Sequence, residues 1–326
     1  MLAFPDPAAS PFRRPDSAPL DPAKFRDPYL TAKGERRASV PLTGLSTLWF
    51  NTGTLCNLAC ATCYIGSSPT NDALVYLSAA EVAVYLDEIH RDRLPVREIG
   101  LTGGEPFMNR EIIAILDACL GRGFDTLVLT NAMRPMRRFE AALLRLLAEH
   151  GASLTLRVSL DHHSQAVHEA ERGEGSWAKA LDGLRWLAGR GFAIAVAGRM
   201  LPGESEPEAR DLYQRLFNEI GVPIPAADPA RLVLFPEMDS GADVPEISEG
   251  CWSILGKTPA SVMCASSRMV VKRKGEAGPR VAACTLLPYE SDFDLGDTLA
   301  QASRPVALNH PHCARFCVLG GASCSA

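Results

Sequence analysis

Apolar positions fall into two alternating rhythms between residues 45 and 235. Short apolar runs at residues 45–51, 96–102, 125–130, 154–160, 192–198 and 231–235 predict β-strands. Between them, apolar residues three and four apart predict helices over 78–93, 110–122, 138–150, 176–190 and 206–220. The first helix opens with Ser78 and Glu81 at capping-box spacing. Six strands separated by five helices imply an α/β fold of parallel strands joined by crossover helices. Of the α/β layouts, a partial (β/α)6 TIM barrel fits this count better than a two-domain dinucleotide fold.

The flanks read differently. Residues 1–44 are rich in Pro, Asp, Arg and Ala with weak periodicity, which predicts an extended arm over a larger body. Residues 236–326 lose the helical period and gain cysteines, which predicts a small cysteine-rich α+β domain. A region this short has a small core of its own, and a metal centre is a common way to stabilise such a fold.

Composition narrows the class. The 326 residues are 47% hydrophobic, which excludes wholesale disorder and fibrous classes. The charges, 33 Lys+Arg against 38 Asp+Glu, give a net −5 and no basic excess of the kind a nucleic-acid binder shows. No stretch approaches the roughly 18 apolar residues of a membrane span, and the start lacks the apolar core of a secretory signal. These features predict a cytoplasmic chain with neither nucleic acid nor membrane as a partner. In a reducing compartment its ten cysteines point to metal ligation or catalysis before disulfides.

Directly after the first strand, Cys56, Cys60 and Cys63 are spaced C-x3-C-x2-C and followed by Tyr64. Three thiolates on one loop suit three irons of a cubane cluster and leave the fourth open. Structural zinc is the alternative, but such sites are almost always closed by four protein ligands. The second strand ends Thr102-Gly103-Gly104-Glu105-Pro106, where a Gly-Gly bend lets the backbone approach a ligand closely. Thr130, Asn131 and Ser159 stand at the ends of the third and fourth strands, on the rim where barrel sites are built.

This arrangement resembles the radical S-adenosylmethionine (radical SAM) superfamily over residues 45–235, with its CxxxCxxC signature, an aromatic beside the last cysteine and a GGEP motif. The resemblance implies a 4Fe–4S cluster on Cys56, Cys60 and Cys63, with S-adenosylmethionine (SAM) chelated at the open iron. It implies that Gly103, Gly104 and Glu105 hold the methionyl amine and that Ser159 contacts the methionyl or ribose portion. The stretch from His168 to Trp177 is similar to an HD-xx-RG-x-GSF pattern, with Glu169 and Trp177 replacing Asp and Phe, and makes Arg172 the candidate partner of the SAM carboxylate. The stretch from Val196 to Met200, with Met200 as the candidate, falls where relatives cover the adenine.

The C-terminal region is similar to the family's SPASM and twitch extensions. Cys264 and Cys284 flank a hairpin-like basic stretch, an LGD turn follows, and Cys313, Cys317 and Cys324 close the chain. The resemblance implies one auxiliary 4Fe–4S cluster on Cys264, Cys284, Cys313 and Cys317, with Cys324 competing for the fourth place. Full ligation would make it an electron acceptor. A zinc site with His310 or His312 is the alternative. Cys119 reads as a core thiol, and Cys251 fits more than one role.

The function implied is a radical SAM oxidoreductase served by a reduced flavodoxin- or ferredoxin-type donor, with a small-molecule substrate favoured. The alternatives are a peptide or protein maturase and a non-catalytic iron–sulfur electron carrier. No substrate-side acid or base stands out; Asp161, His162, His163 and Tyr289 are polar residues in plausible places.

Overall fold

A computed structural model describes residues 10–13, 17–236 and 239–322. In chain order the elements are β1 (Ser39–Val40), β2 (Thr47–Asn51), α1 (Ala79–Asp92), β3 (Glu98–Thr102), α2 (Ile112–Leu120), β4 (Asp125–Thr130), α3 (Arg134–Arg137) and α4 (Glu140–His150). There follow β5 (Leu154–Ser159), α5 (Gln165–Arg172), α6 (Ser176–Gly189), β6 (Ala193–Arg199), α7 (Glu206–Glu219) and β7 (Leu232–Phe235). The C-terminal region adds α8 (Cys251–Leu255), β8 (Ser267–Val271), β9 (Arg280–Ala282), β10 (Val306–Ala307) and a π-helical turn over Cys313–Leu319.

Strands β2 to β7 pair in sequence order, all parallel, with at least one helix crossing between each pair. The six-stranded parallel α/β arrangement is therefore the one the periodicity predicts. Every residue of β2 is buried, as expected for a strand covered on both faces. Ser78 and Glu81 form the reciprocal capping box that starts α1.

The sheet is open, and it is larger than the sequence suggests. Its order is β7-β6-β5-β4-β3-β2-β8-β9, so the hairpin β8–β9 of the cysteine-rich region extends the barrel sheet at β2. An unclosed barrel leaves the backbone of its first strand unpaired, and the fully buried strand Ser267–Val271 covers that edge. The N-terminal arm is fastened to the same end of the chain. β1 pairs with β10, and buried Arg37 makes a 2.5 Å ion pair with Glu246. Among the described residues no helix is long and apolar enough to cross a membrane.

Candidate active site

The loop leaving β2 is tied down before it reaches its cysteines. Asn51 Oδ1 accepts from the Gly53 N–H at 3.0 Å, and the Thr52 N–H donates to the Thr102 carbonyl of β3 at 2.8 Å. Beyond Cys60, the buried carboxylate of Glu171 on α5 accepts from the Thr62 N–H at 2.8 Å and from its hydroxyl at 2.6 Å. Arg199 at the end of β6 donates to Thr62 Oγ1 at 2.6 Å and lies 3.4 Å from Glu171. The arm joins in, since Ser10 Oγ donates to Glu171 at 2.6 Å and the Phe12 ring packs 4.0 Å from the Arg199 guanidinium.

Cys56, Cys60 and Cys63 line one cleft with Tyr64, Gly103, Gly104, Thr130, Asn131, Ser159, Asp161 and Arg172. The cleft encloses about 1120 Å³ of empty space, its open mouth included. Burial pushes the Cys56 and Cys60 thiols up to about 12, so without a nearby cation they stay protonated at neutral pH. Metal binding displaces those protons. The surroundings favour the thiolates: Leu58 N–H points at Cys56 Sγ (3.4 Å), Ser67 N–H at Cys63 Sγ (3.3 Å), and the Arg172 charge acts on Cys60. No histidine or fourth cysteine lines this cleft among the described residues. Ser67 Oγ is buried there without a hydrogen-bond partner among the described residues. Three thiols, N–H donors aimed at sulfur and an unsatisfied hydroxyl fit a cluster with one open iron and a polar ligand on it.

Arg172 ends α5 and grips Asp161 with two bonds, Nε at 2.6 Å and Nη2 at 3.0 Å. Burial opposes its charge, yet the Asp161 carboxylate more than offsets this and holds the guanidinium above its ordinary pKa. Two of its five N–H donors are spent on Asp161, and the others remain for a carboxylate in the cleft.

The Gly-Gly bend lines the cleft and also makes room for the cysteine loop. A Cβ on Gly104 would lie 2.3 Å from the Leu55 carbonyl oxygen, and one on Gly103 2.5 Å from that of Gly53. Glu105 does not line the cleft; its carboxylate is buried behind the wall, accepting from Thr130 Oγ1 (2.8 Å), Asn131 N–H (2.8 Å) and Phe107 N–H (3.2 Å). It is a positioning residue for the ends of β3 and β4, and burial raises its pKa to about 7.

Met200 does not line the cleft either. Along β6, Ala197 and Arg199 face it, whereas Gly198 faces Tyr213 of α7. Strand alternation thus assigns the cleft to the odd-numbered positions.

A second cavity, about 340 Å³ of empty space with its open side included, is lined by Cys264, Cys284, Cys313 and Cys317 together with His312 and apolar side chains. Cys264 and Cys284 sit on the two approaches to the β8–β9 hairpin, and Cys313 and Cys317 on the π-helical turn. Burial pushes Cys264 up to about 11 and raises Cys313 well above its ordinary value. His312 Nδ1 has no hydrogen-bond partner among the described residues. Cys324 lies outside the described residues. Cys119 is buried in α2, and Cys251 lines neither cavity. Leu286, two residues past Cys284, lines both cavities, and Phe316, between Cys313 and Cys317, lines the first. With Phe235, whose ring centroid lies 5.5 Å from that of Phe316, they form the apolar wall facing the rim.

The sequence reading missed this wall, as it missed Thr62 and Glu171. His162 and His163 stand apart from the cleft, around Glu204. Nδ1 of His162 accepts from the Ser164 N–H at 3.1 Å, which assigns the hydrogen on Nε2 to the 3.1 Å bond with Glu204. Tyr289 donates to the Ile65 carbonyl at 2.9 Å.

Similar proteins share this framework. AlbA, the antilisterial bacteriocin subtilosin biosynthesis protein of Bacillus subtilis (strain 168), is 31% identical over 169 residues, 52% of this chain and 35% of AlbA. Mycofactocin maturase MftC of Mycobacterium ulcerans (strain Agy99) is 31% identical over 140 residues, 43% of this chain and 36% of MftC. GTP 3′,8-cyclase of Gloeobacter violaceus is 30% identical over 168 residues, 48% of each chain. The matches thus span between a third and a half of these relatives. Among solved structures, Streptococcus suis SuiB bound to S-adenosylmethionine superposes with a TM-score of 0.56 at 12% identity, over 78% of this chain and 63% of that one. Native anSMEcpe with bound AdoMet gives 0.55 at 13% identity, over 79% and 80%. At such identities the likeness is one of fold. The sequence model of the radical SAM superfamily matches residues 50–216, just over half of the chain. That match runs from the strand before the cysteine loop to the helix after the last rim position described above, and the chain belongs to the radical SAM superfamily of enzymes.

Proposed function

We propose that this chain is a radical SAM oxidoreductase that holds an auxiliary 4Fe–4S cluster and modifies a peptide in a cytoplasmic setting. When bound, the first cluster and SAM supply a 5′-deoxyadenosyl radical able to take a hydrogen atom from substrate. The chain's own residues bind and orient. Cys56, Cys60 and Cys63 hold the first cluster, and the Thr62–Glu171–Arg199 group fixes the loop that carries them. Arg172 offers its remaining donors to the SAM carboxylate, while Ser67 and Ser159 offer hydroxyls. Phe235, Leu286 and Phe316 exclude water on the substrate side.

In this reading residues 45–235 carry the SAM chemistry, residues 236–326 hold the auxiliary cluster on Cys264, Cys284, Cys313 and Cys317, and residues 1–44 brace both. The observation that carries it is the pair of adjoining thiol-lined cavities with Leu286 in both walls. Four thiols around the second cavity leave no iron open for substrate, which favours electron uptake there after hydrogen abstraction. The names of AlbA and MftC describe making a bacteriocin and maturing mycofactocin, and they move the substrate from the small molecule favoured by sequence toward a peptide. The match to GTP 3′,8-cyclase supports a small molecule as the second reading.

Iron analysis of anaerobically reconstituted protein tests the auxiliary cluster. About eight irons per chain are expected, falling to about four in Cys284→Ala. Four irons in both proteins, with SAM cleaved normally, would overturn the two-cluster reading. Peptide products that have lost two hydrogens would identify the substrate class by mass.

A further inference from the structure

The reading above requires electrons from outside the chain, and the outer face of the cysteine loop has the features of a place to receive them. There Asn57 and Leu58 meet the segment after β4 and the start of α6 in an open groove of about 1460 Å³. Leu58 lines both this groove and the inner cleft. Asn57 follows Cys56 directly. Its Nδ2 lies 3.7 Å from Met133 Sδ on the groove wall, and its Oδ1 accepts from Asn131 Nδ2, which itself lies 4.0 Å from Cys56 Sγ. A hydrogen-bonded path therefore joins the groove to the first thiol.

The groove is also basic on a chain of net charge −5. Arg137 is neutralised by Glu140 at 2.5 Å and Asp182 at 2.9 Å. Arg134, Arg138 and Lys179 also line it; they are exposed and make no ion pair among the described residues. Besides Leu58, no residue of the inner cleft lines the groove, which separates it from the substrate side.

We propose that this groove docks an acidic one-electron donor protein, of the flavodoxin or ferredoxin class, against Arg134, Arg138 and Lys179. The proposal rests on the radical SAM reading. With a flavodoxin, the anionic flavin hydroquinone gives up one electron and becomes the neutral semiquinone. The oxidised cluster held by Cys56, Cys60 and Cys63 takes up that electron, and no proton is transferred.

The test uses the reconstituted chain, a recombinant bacterial flavodoxin and the triple variant Arg134→Glu, Arg138→Glu, Lys179→Glu. A control variant carries the same charge change at the exposed residues Lys33, Arg190 and Arg215. Reversing three contact charges should weaken binding of oxidised flavodoxin about ten- to a hundredfold at low ionic strength, and slow flavin hydroquinone oxidation by a similar factor. Dithionite-driven SAM cleavage should stay at the wild-type rate. Equal losses in the groove and control variants would overturn the proposal, as would a matching loss with dithionite, which would assign the groove to substrate or to folding. Binding is read without SAM, so it decides the docking surface even if dithionite drives no SAM cleavage, the outcome that refutes the reading beneath it.

Discussion

Replacing Gly104 by Ala puts a methyl group where the cysteine loop passes. The added Cβ would stand 2.3 Å from the Leu55 carbonyl oxygen and 2.6 Å from that of Thr54. A carbon–oxygen contact relaxes only near 3.3 Å, so turn and loop must part by about 1 Å. Neither side yields easily, because both clashing atoms are backbone. Gly104 N–H is bonded to the Gly53 carbonyl at 2.8 Å and Glu105 N–H to that of Leu55 at 3.1 Å. Overpacking of this kind costs about 1–3 kcal/mol, which lowers the melting temperature by several degrees. Leu55 precedes Cys56, so the displacement passes to the first thiol. A reacting group misplaced by about 1 Å loses on the order of a hundredfold in rate. Iron content, thermal unfolding and 5′-deoxyadenosine release, compared between Gly104→Ala and wild type, measure each step. Wild-type values for all three would refute the claim that Gly104 exists to let the loop approach.

Three other side chains give separate checks. Burial raises Glu105 to about 7, so the folded state holds its proton more tightly than the unfolded chain, and the stability from this group is full below about pH 4.5 and lost as pH rises through about 7. Glu105→Gln should flatten that slope, worth on the order of 3 kcal/mol, in urea unfolding at a series of pH values; an unchanged slope would assign the titration elsewhere. Arg172→Gln leaves buried Asp161 without its bidentate partner and should cost about 3–5 kcal/mol at neutral pH. In wild type Asp161 is held below the usual carboxylate range: burial works to raise it, but Arg172 prevails. The Arg172→Gln penalty should therefore shrink as pH falls through the carboxylate range and Asp161 is protonated, and a pH-independent penalty would count against the pair. Glu171→Gln replaces a carboxylate that accepts from Thr62 and Ser10, and should lower iron retention under chelator challenge while leaving the fold intact by circular dichroism.

The barrel was legible because its strands are short and apolar and its longer helices amphipathic; residues 125–130 match β4 end to end. The helix α5 escaped notice because Gln165–Arg172 is mostly polar, although it presents Glu171 and Arg172 to the site. The three thiols of the first loop could be grouped from spacing alone, since they are neighbours in sequence. Cys264, Cys284, Cys313 and Cys317 could be grouped only by resemblance. Nothing in sequence pairs Arg199 with Thr62, or Leu286 with Phe235 and Phe316, because those contacts arise only when distant strand ends and the π-helical turn meet. Along the stretch from Val196 to Met200 the sequence did not say which alternate positions meet the cleft. The two-residue alternation was visible along β6, but which phase faced the cleft was set by Gly198 packing under Tyr213.

The central claim is that Cys56, Cys60 and Cys63 hold an iron–sulfur cluster at which SAM is reductively cleaved. Dithionite-reduced, anaerobically reconstituted protein incubated with SAM alone tests it most directly, read as iron content and 5′-deoxyadenosine, beside Cys60→Ala. The account predicts iron and 5′-deoxyadenosine in the wild type and loss of 5′-deoxyadenosine in the variant. Zinc in place of iron with SAM untouched, or equal 5′-deoxyadenosine from both proteins, would contradict it.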